Sequence, residues 1–382
     1  MNVRKFLNLV GSKLREKRPL VPKFHNYTIK NCNGFIHFWF RTQGCRYTRD
    51  KNGGCLMCDY SSSSQSSIKE MQKYILEGLS KIGNPYLLLV NSSGSFLDDS
   101  EVPKEIRVTI YEKLKEYSNL EIILETLLET VNRGKLEEIR NILKSQIIDI
   151  EFGIESLDTN ILKYCINKNI DIHNLPNKID LLHQYNINAV ANILIGIPFL
   201  SEYKNIEIAI ESINSLFKMN IDTIVLFPIN IKPYTTVFWL YNNGFYKPIS
   251  LWSYIEVLNR VNKEYLSKIE LSWYRDTSKS PIYKDGVKAP MTCPKCNDRV
   301  LSFLDNFTQN SNNRLEILNQ LNQIQCDCKE KWKRQIETDN NLEKDSIILA
   351  YKEMSNDILN KNFWQKYGKN IEQEIENDFK SL

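Results

Sequence analysis

A chain of 382 residues, 42% hydrophobic and 11% aromatic, has material for one large folded domain plus a smaller one. Its formal charge of +4 is too small to select a nucleic-acid or acidic partner. No stretch reaches about 18 continuous apolar residues, which argues against a membrane-spanning helix, and nine cysteines in so long a chain are not the disulfide framework of a small secreted scaffold. Seven of the nine lie in tight groups and read as metal ligands in a reducing, cytoplasmic setting.

Residues 1–34 form a basic N-terminal extension. Arg4, Lys5, Lys13, Arg15, Lys17, Arg18, Lys23 and Lys30 stand against Glu16 alone, without the apolar run and cleavage site of a signal peptide. The spacing over 3–17 predicts a basic amphipathic helix, either a solvated cap on the main domain or a footprint of nucleic acid. Cys32 and Cys165 stand alone and are expected to be small buried apolar residues.

From 35 to 230 short apolar runs alternate with helical patterns. The runs are 36–41, 86–91, 120–125, 147–154, 189–195 and 223–227, and their weak alternation predicts strands buried on both faces. Helices are predicted over 66–82, 103–117, 132–144, 174–185 and 202–219. Right-handed crossovers would curl six such parallel strands toward a barrel, short of the eight of a closed one, so the expected fold is α/β, a partial (β/α)6 barrel.

Reactive groups in parallel α/β folds gather at the carboxyl ends of strands. After the first run come Cys45, Cys55 and Cys58, spaced Cys-x9-Cys-x2-Cys in a loop rich in Gly, Asn and charge. A structural zinc site takes four ligands, whereas a cluster held by three cysteines keeps one metal corner open. The later runs end in Ser92-Ser93-Gly94-Ser95, Glu125-Thr126, Glu155-Ser156, Gly196-Ile197-Pro198 and Ile229-Asn230. Small, polar and acidic residues thus converge on one rim, more than a purely structural metal site in a nucleic-acid-binding protein would need.

Residues 231–290 are aromatic-rich, with Tyr234, Phe238, Trp239, Trp252, Tyr254, Trp273 and Tyr274 among them, and are expected to pack over the open barrel edge; stacking on bases is the alternative. Residues 291–382 form a helical C-terminal region in which Cys293, Cys296, Cys326 and Cys328 bracket helices near 299–307 and 314–324. Four thiolates fit a structural Zn2+ site, with an auxiliary iron–sulfur cluster as the alternative. The charged tail from Lys329 is expected to dock through Trp332, Trp364 and Tyr367.

The cysteine loop and the strand endings together resemble the radical S-adenosylmethionine (radical SAM) superfamily over about 35–228, in the branch with the longer, elongator-type first gap. Arg41 to Tyr47, Gly53 to Tyr60, Ser93 to Asp98, Glu101-Val102-Pro103, Phe152 to Ser156, Leu251-Trp252-Ser253 and the later cysteines are similar to the radical SAM subunits of archaeosine synthase. The resemblance implies that Cys45, Cys55 and Cys58 hold a 4Fe–4S cluster whose fourth iron takes S-adenosyl-L-methionine. It implies that Met57, Tyr60, Ser93, Gly94, Ser95, Glu125, Glu155, Ser156, Gly196 and Pro198 surround that cofactor, Ser-Gly-Ser replacing the usual Gly-Gly-Glu turn. It further implies an electron donor such as flavodoxin or ferredoxin, a partner synthase subunit, and C–N cleavage of a lysine adduct of a 7-deazaguanine base in tRNA or of a related modified nucleoside. The family's Glu-Ser-Arg-Pro-like stretch reads Glu125-Thr126-Leu127-Leu128-Glu129 here, and with other changes at the rim it leaves a peptide or small metabolite as the alternative substrate.

Overall fold

The computed structural model describes residues 1–18, 26–32, 34–49, 53–59, 66–92, 94–275, 287–338 and 344–379. Helix α1 (Val3–Glu16), capped by the Asn2 side chain, precedes strands β1 (Tyr27–Cys32) and β2 (Phe35–Phe40). The chain then alternates through α2 (Ile68–Leu79), β3 (Leu87–Asn91), α3 (Lys104–Leu114), β4 (Glu121–Thr126), α4 (Arg133–Ile142) and β5 (Ile147–Glu155). A π-helical stretch, Ile161–Ile166, leads to α5 (Leu175–Gln184), β6 (Asn188–Ile195), α6 (Glu202–Lys218) and β7 (Thr223–Pro228). Helices α7 (Thr236–Asn242) and α8 (Leu251–Arg260) come before β8 (Ile269–Leu271). The C-terminal region is α9 (Asn297–Gln309), α10 (Arg314–Asn322), α11 (Asp327–Thr338), α12 (Lys344–Met354) and α13 (Lys361–Phe379).

The strands form one eight-stranded sheet in sequence order, β1 antiparallel to β2 and every later pair parallel. Its two edges do not pair with each other, so the fold is a partial β/α barrel with a helical C-terminal region bearing the four-cysteine group. The six expected strands are β2 to β7. The sheet adds β1, whose Tyr-Thr-Ile-Lys-Asn-Cys sequence is mostly exposed, and the three-residue β8. Cys32, at the end of that exposed edge strand, is itself exposed, whereas Cys165 is buried as expected.

β6 is buried on both faces past its first residue, as expected, but most of the other strands are not. In β2, β4 and β7 fully buried and half-buried residues alternate strictly. The buried set, including Ile36, Phe38, Leu88, Val90, Ile122, Ile148, Ile150 and Ile224, packs under the helices in the main core. The opposite face lines the lumen and mixes Leu89 and Ile123 with His37, Asn91, Glu125 and Glu151. Apolar residues on this second face hide the period of two from a sequence reading.

A second core lies at the rim end. Val3, Phe6, Leu7 and Val10 of α1 pack with Leu56 of the cysteine loop, Tyr164 and Cys165, Val237 and Leu240 of α7, and Tyr351, Ile371 and Ile375 of α12 and α13. The N-terminal helix is therefore a docked wall with its apolar face sealed, and the tail does dock: Trp364 meets Phe6 at 6.2 Å between ring centroids. Trp332 is buried too, donating to Ser253 Oγ at 2.7 Å. The aromatic stretch mostly packs, with Trp239, Trp252, Tyr254 and Tyr274 buried and Trp273 36% exposed.

Candidate functional site

The cysteine loop leaves the carboxyl end of β2, next to the turn that follows β3. Cys45 is buried, and Cys55 and Cys58 are half-buried. A Cβ on Gly94 would stand 2.5 Å from the Cα of Cys45, so only glycine lets the turn lie against the first cysteine. The turn is fixed from below. Ser95 N–H donates to Glu101 Oε2 at 2.8 Å and Thr42 Oγ1 donates to Glu101 Oε1 at 2.7 Å. Ser95 Oγ shares a hydrogen bond with Thr126 Oγ1 at 2.8 Å and accepts the Leu127 N–H at 3.1 Å. With its hydroxyl spent on β4, Ser95 has backbone to offer a ligand. Burial, with Asp98 adding to it, pushes Glu101 up to about 7 against the donors that surround it.

Carboxylates meet on the lumen side of β4 and β5. Glu125 stands opposite Glu151 in register and accepts from Asn91 Nδ2. Burial, then the charges of Glu151 and Glu155, raise Glu125 to about 8. Glu155 lies just past a bulge in β5, with φ +67°, and pairs with Lys168 Nζ at 2.8 Å; both side chains are under 10% exposed. Burial opposes the charge on Lys168, but Glu155 and the neighbouring Cys55 thiol prevail and raise its pKa. Glu155 Oε2 and Asn192 Oδ1 are buried acceptors without a hydrogen-bond partner among the described residues.

Of the remaining expected residues, Gly196 donates its N–H to Asn205 Oδ1 at 3.0 Å and accepts from Tyr246 at 2.7 Å, and Pro198 is buried beside it. Ser156 is buried in a local turn, its hydroxyl accepting the Asp158 N–H at 3.1 Å. Met57 is half-buried against the second core. Tyr60 and Ser93 lie outside the described residues. Glu125, Glu155 and the Gly94–Ser95 turn share the cysteine-lined rim through Glu101 and Lys168, while Ser156 faces α6 through the Leu157 N–H, which donates to Ser212 Oγ at 3.4 Å.

Several residues at the rim carry no sequence signal. Asn205 of α6 clasps 196–201, accepting the Ile197 N–H at 2.7 Å and donating to Ser201 O at 3.0 Å. Glu129, at the end of the variant 125–129 stretch, accepts from Arg46 at 2.6 Å and from the Tyr47 hydroxyl at 2.8 Å, so that stretch pins the cysteine loop. Arg15 of α1 reaches the carbonyls of Cys55 and Cys58 at 3.4 and 3.2 Å. Burial lowers its pKa, the Cys58 and Cys55 thiols opposing.

The four later cysteines behave differently. Their sulfurs all lie within 4.8 Å of one another, with edges of 3.5–3.6 Å. Thiolates about 2.3 Å from one tetrahedral ion stand about 3.8 Å apart, so this spacing suits a single metal. Trp252 Nε1 donates to Cys328 Sγ at 3.2 Å and the Thr292 hydroxyl lies 3.3 Å from Cys296 Sγ. Among the described residues no other group of three or more such ligand atoms is this close, so Cys45, Cys55 and Cys58 are not all within 4.8 Å of one another.

No protein-family model matches the sequence. It is 34% identical over 310 residues to the uncharacterized protein MJ0550 of Methanocaldococcus jannaschii, covering 78% of this chain and 81% of that protein. The chain belongs to the family of MJ0550. It is also similar to archaeosine synthase subunit beta of Methanosarcina acetivorans (28% identity, 78% of this chain and 84% of that one) and of Thermococcus kodakarensis (26%, 78% and 90%). Among solved structures, Elp3 of Methanocaldococcus infernus matches at 15% identity with a TM-score of 0.43, over 62% of this chain and 58% of that one. Methylornithine synthase (PylB) matches at 19% with a TM-score of 0.42, over 67% of each. Among the described residues no helix is long and apolar enough to cross a membrane.

Proposed function

We propose that this protein is a radical SAM enzyme whose 4Fe–4S cluster is held by Cys45, Cys55 and Cys58 at the barrel rim. The observation that carries the reading is the placement of three separated thiols at the end of β2, facing a polar ring drawn from the following strands. The donor set fits: ligands of three different irons need not form the tight group that thiolates sharing one ion do, and Glu155 Oε2 is a buried acceptor, without a hydrogen-bond partner among the described residues, beside Lys168 and Cys55. When bound there, the cluster and SAM supply one-electron cleavage of the S–C5′ bond and hydrogen-atom abstraction from a substrate C–H bond.

The chain's own residues orient and shield. The Gly94–Ser95 backbone, held by Glu101 and Thr126, faces the cofactor beside Cys45. Glu155, fixed by Lys168, offers its second oxygen to a donor group. Met57 and the Gly196–Pro198 turn, braced by Asn205, give apolar surface and rigid backbone for the adenosyl group.

For substrate we favour a lysine adduct of a 7-deazaguanine base in tRNA, supported by the similarity to two archaeosine synthase beta subunits and by the carboxylates of the lumen, which suit a cationic amine. This implies an electron donor such as flavodoxin or ferredoxin and a partner synthase subunit. For Cys293, Cys296, Cys326 and Cys328 we favour a single structural Zn2+ over an auxiliary cluster, on the sulfur spacing.

Anaerobic reconstitution with iron and sulfide, followed by dithionite and SAM, tests the chemistry. The wild type should form 5′-deoxyadenosine and a Cys45→Ala variant should form none; equal yields would reject the enzyme. Adding tRNA carrying the lysine adduct should then increase turnover. Turnover stimulated by a peptide or small amine and not by that tRNA would replace the substrate.

A further inference from the structure

We propose that Arg15 is a positioning residue of the radical SAM site, fixing the cysteine loop from behind and raising the reduction potential of its cluster. This rests on the reading of Cys45, Cys55 and Cys58 as the cluster's ligands.

Helix α1 lies directly against the loop. A Cβ on Gly11 would stand 2.5 Å from Gly53 O, so the helix and loop backbones touch with nothing between them. One turn later Arg15 Nη2 donates to both Cys55 O and Cys58 O, spanning the Cys-x2-Cys turn from its first ligand to its last. Neighbouring contacts grip the same segment from other sides. Arg18 donates to Asp59 O, Asn167 Nδ2 to Gly54 O at 3.0 Å, Leu56 N–H to Ile166 O at 2.9 Å, and Lys232 pairs with Asp59 at 2.9 Å. The helix is itself immobilised, since Val3 N–H donates to Glu374 Oε2 at 2.8 Å and the Phe6 ring packs at tilted and edge-on angles against Tyr351, Phe363 and Trp364.

The charge of Arg15 matters apart from its grip. Its Nε and Nη1 are buried and have no hydrogen-bond partner among the described residues. A guanidinium stays protonated, and burying it with unsatisfied N–H groups is unfavourable unless negative charge lies close by. Three cysteine thiolates around an iron–sulfur core supply that charge. A fixed cation beside such a cluster favours the more negative, reduced state, because cluster potentials follow net charge and nearby hydrogen bonds. Nothing in the amphipathic pattern of α1 required a basic residue here: position 15 lies on the loop-facing side of a helix whose other face is core.

The test compares wild type, Arg15→Gln and Arg15→Lys after anaerobic reconstitution. Far-UV circular dichroism, iron and sulfide content, and a redox titration followed by electron paramagnetic resonance are recorded for each. Arg15→Gln should keep the fold and show a midpoint shifted to more negative potential, with a severalfold smaller reduced-cluster signal at fixed dithionite. Arg15→Lys, which keeps the charge but cannot span both carbonyls, should recover most of the potential while its resonance line shape changes. Wild-type potential, line shape and iron content in Arg15→Gln would overturn the proposal. If Arg15→Gln does not fold, Arg15→Lys decides, and a wild-type line shape with full iron content overturns the positioning role. A wild type that binds no cluster at all rejects instead the underlying assignment of the three cysteines.

Discussion

The two cysteine groups of this chain solve opposite problems with the same side chain. Cys293, Cys296, Cys326 and Cys328 close on one another at 3.5–3.6 Å, and hydrogen bonds from Cys326 and its neighbours pull Cys293 down to about 6. Burial pushes Cys296 the other way, to about 12, so within one closed set some thiols are poised to ionise first. At the rim nothing closes. Burial raises Cys45 and lifts Cys55 to about 12, Lys168 opposing in the second case. The loop that carries the rim sulfurs is held by contacts from α1, the β3 and β4 endings and the π-helical stretch. A set of sulfurs close enough to share one ion is self-contained, whereas the rim loop, for which we propose a cluster with one corner open, takes its rigidity from the elements around it.

Breaking the closed site should have the largest effect on the fold. Cys293→Ser is expected to lose its metal ion and to destabilise the protein by several kcal/mol, on the order of what structural zinc contributes. Metal analysis and thermal unfolding would show it, with altered fluorescence from Trp252, whose ring nitrogen donates to Cys328. Retained ion and an unchanged melting temperature would mean that the four sulfurs are not the ligand set.

The rim should be broken most sharply at its buried ion pair. Glu155→Gln leaves Lys168 buried beside Cys55 without its partner, which is expected to cost about 3–5 kcal/mol. Adding Lys168→Met should return much of that loss, because the unpaired charge, more than the missing bond, is what destabilises. Urea denaturation of the single and double variants measures both; additive losses would contradict the pairing.

The smallest effect is a dependence on pH. Glu125 sits near 8 and Asp149 near 7 in the folded chain, both raised chiefly by burial. Between about pH 5 and 8 the folded state then holds protons that the unfolded chain has released, so stability falls as pH rises through that window, by at most about 1.4 kcal/mol per pH unit for each proton. Glu125→Gln should flatten the slope. A melting temperature that climbs from pH 5 to 8 would show these carboxylates ionised throughout.

How much of this was legible in the sequence divides along the same line. The strands β2 to β7 and the intervening helices are marked by apolar runs and helical spacing, and the cysteine spacings mark the four sulfurs that the fold brings together. The scaffold behind the rim was not. Arg15, Glu129, Lys168 and Asn205 each act on a partner distant in the chain or through backbone groups, and an isolated basic or amide residue in a polar setting has no local pattern to mark it. Edge strand β1 escaped because an exposed antiparallel strand needs no apolar run, and β8 because three residues are too few to show a period. The lumen was misjudged because Leu89 and Ile123 share it with Glu125 and Glu151, blurring the alternation that distinguishes a half-buried strand.

The joining of α1 to α13 also sets an order of assembly. The parallel sheet can form as its strands emerge, each pairing with the one made just before it. The wall behind the cysteine loop cannot, since Val3 waits for Glu374 and Phe6 for Trp364, more than 350 residues later. On the ribosome the loop would therefore keep its back uncovered until more than 350 further residues have been made, and the helix carrying Arg15 would settle only once α13 has emerged. Loading of the cluster proposed for the rim is then best timed as a step performed after α1 and α13 have met.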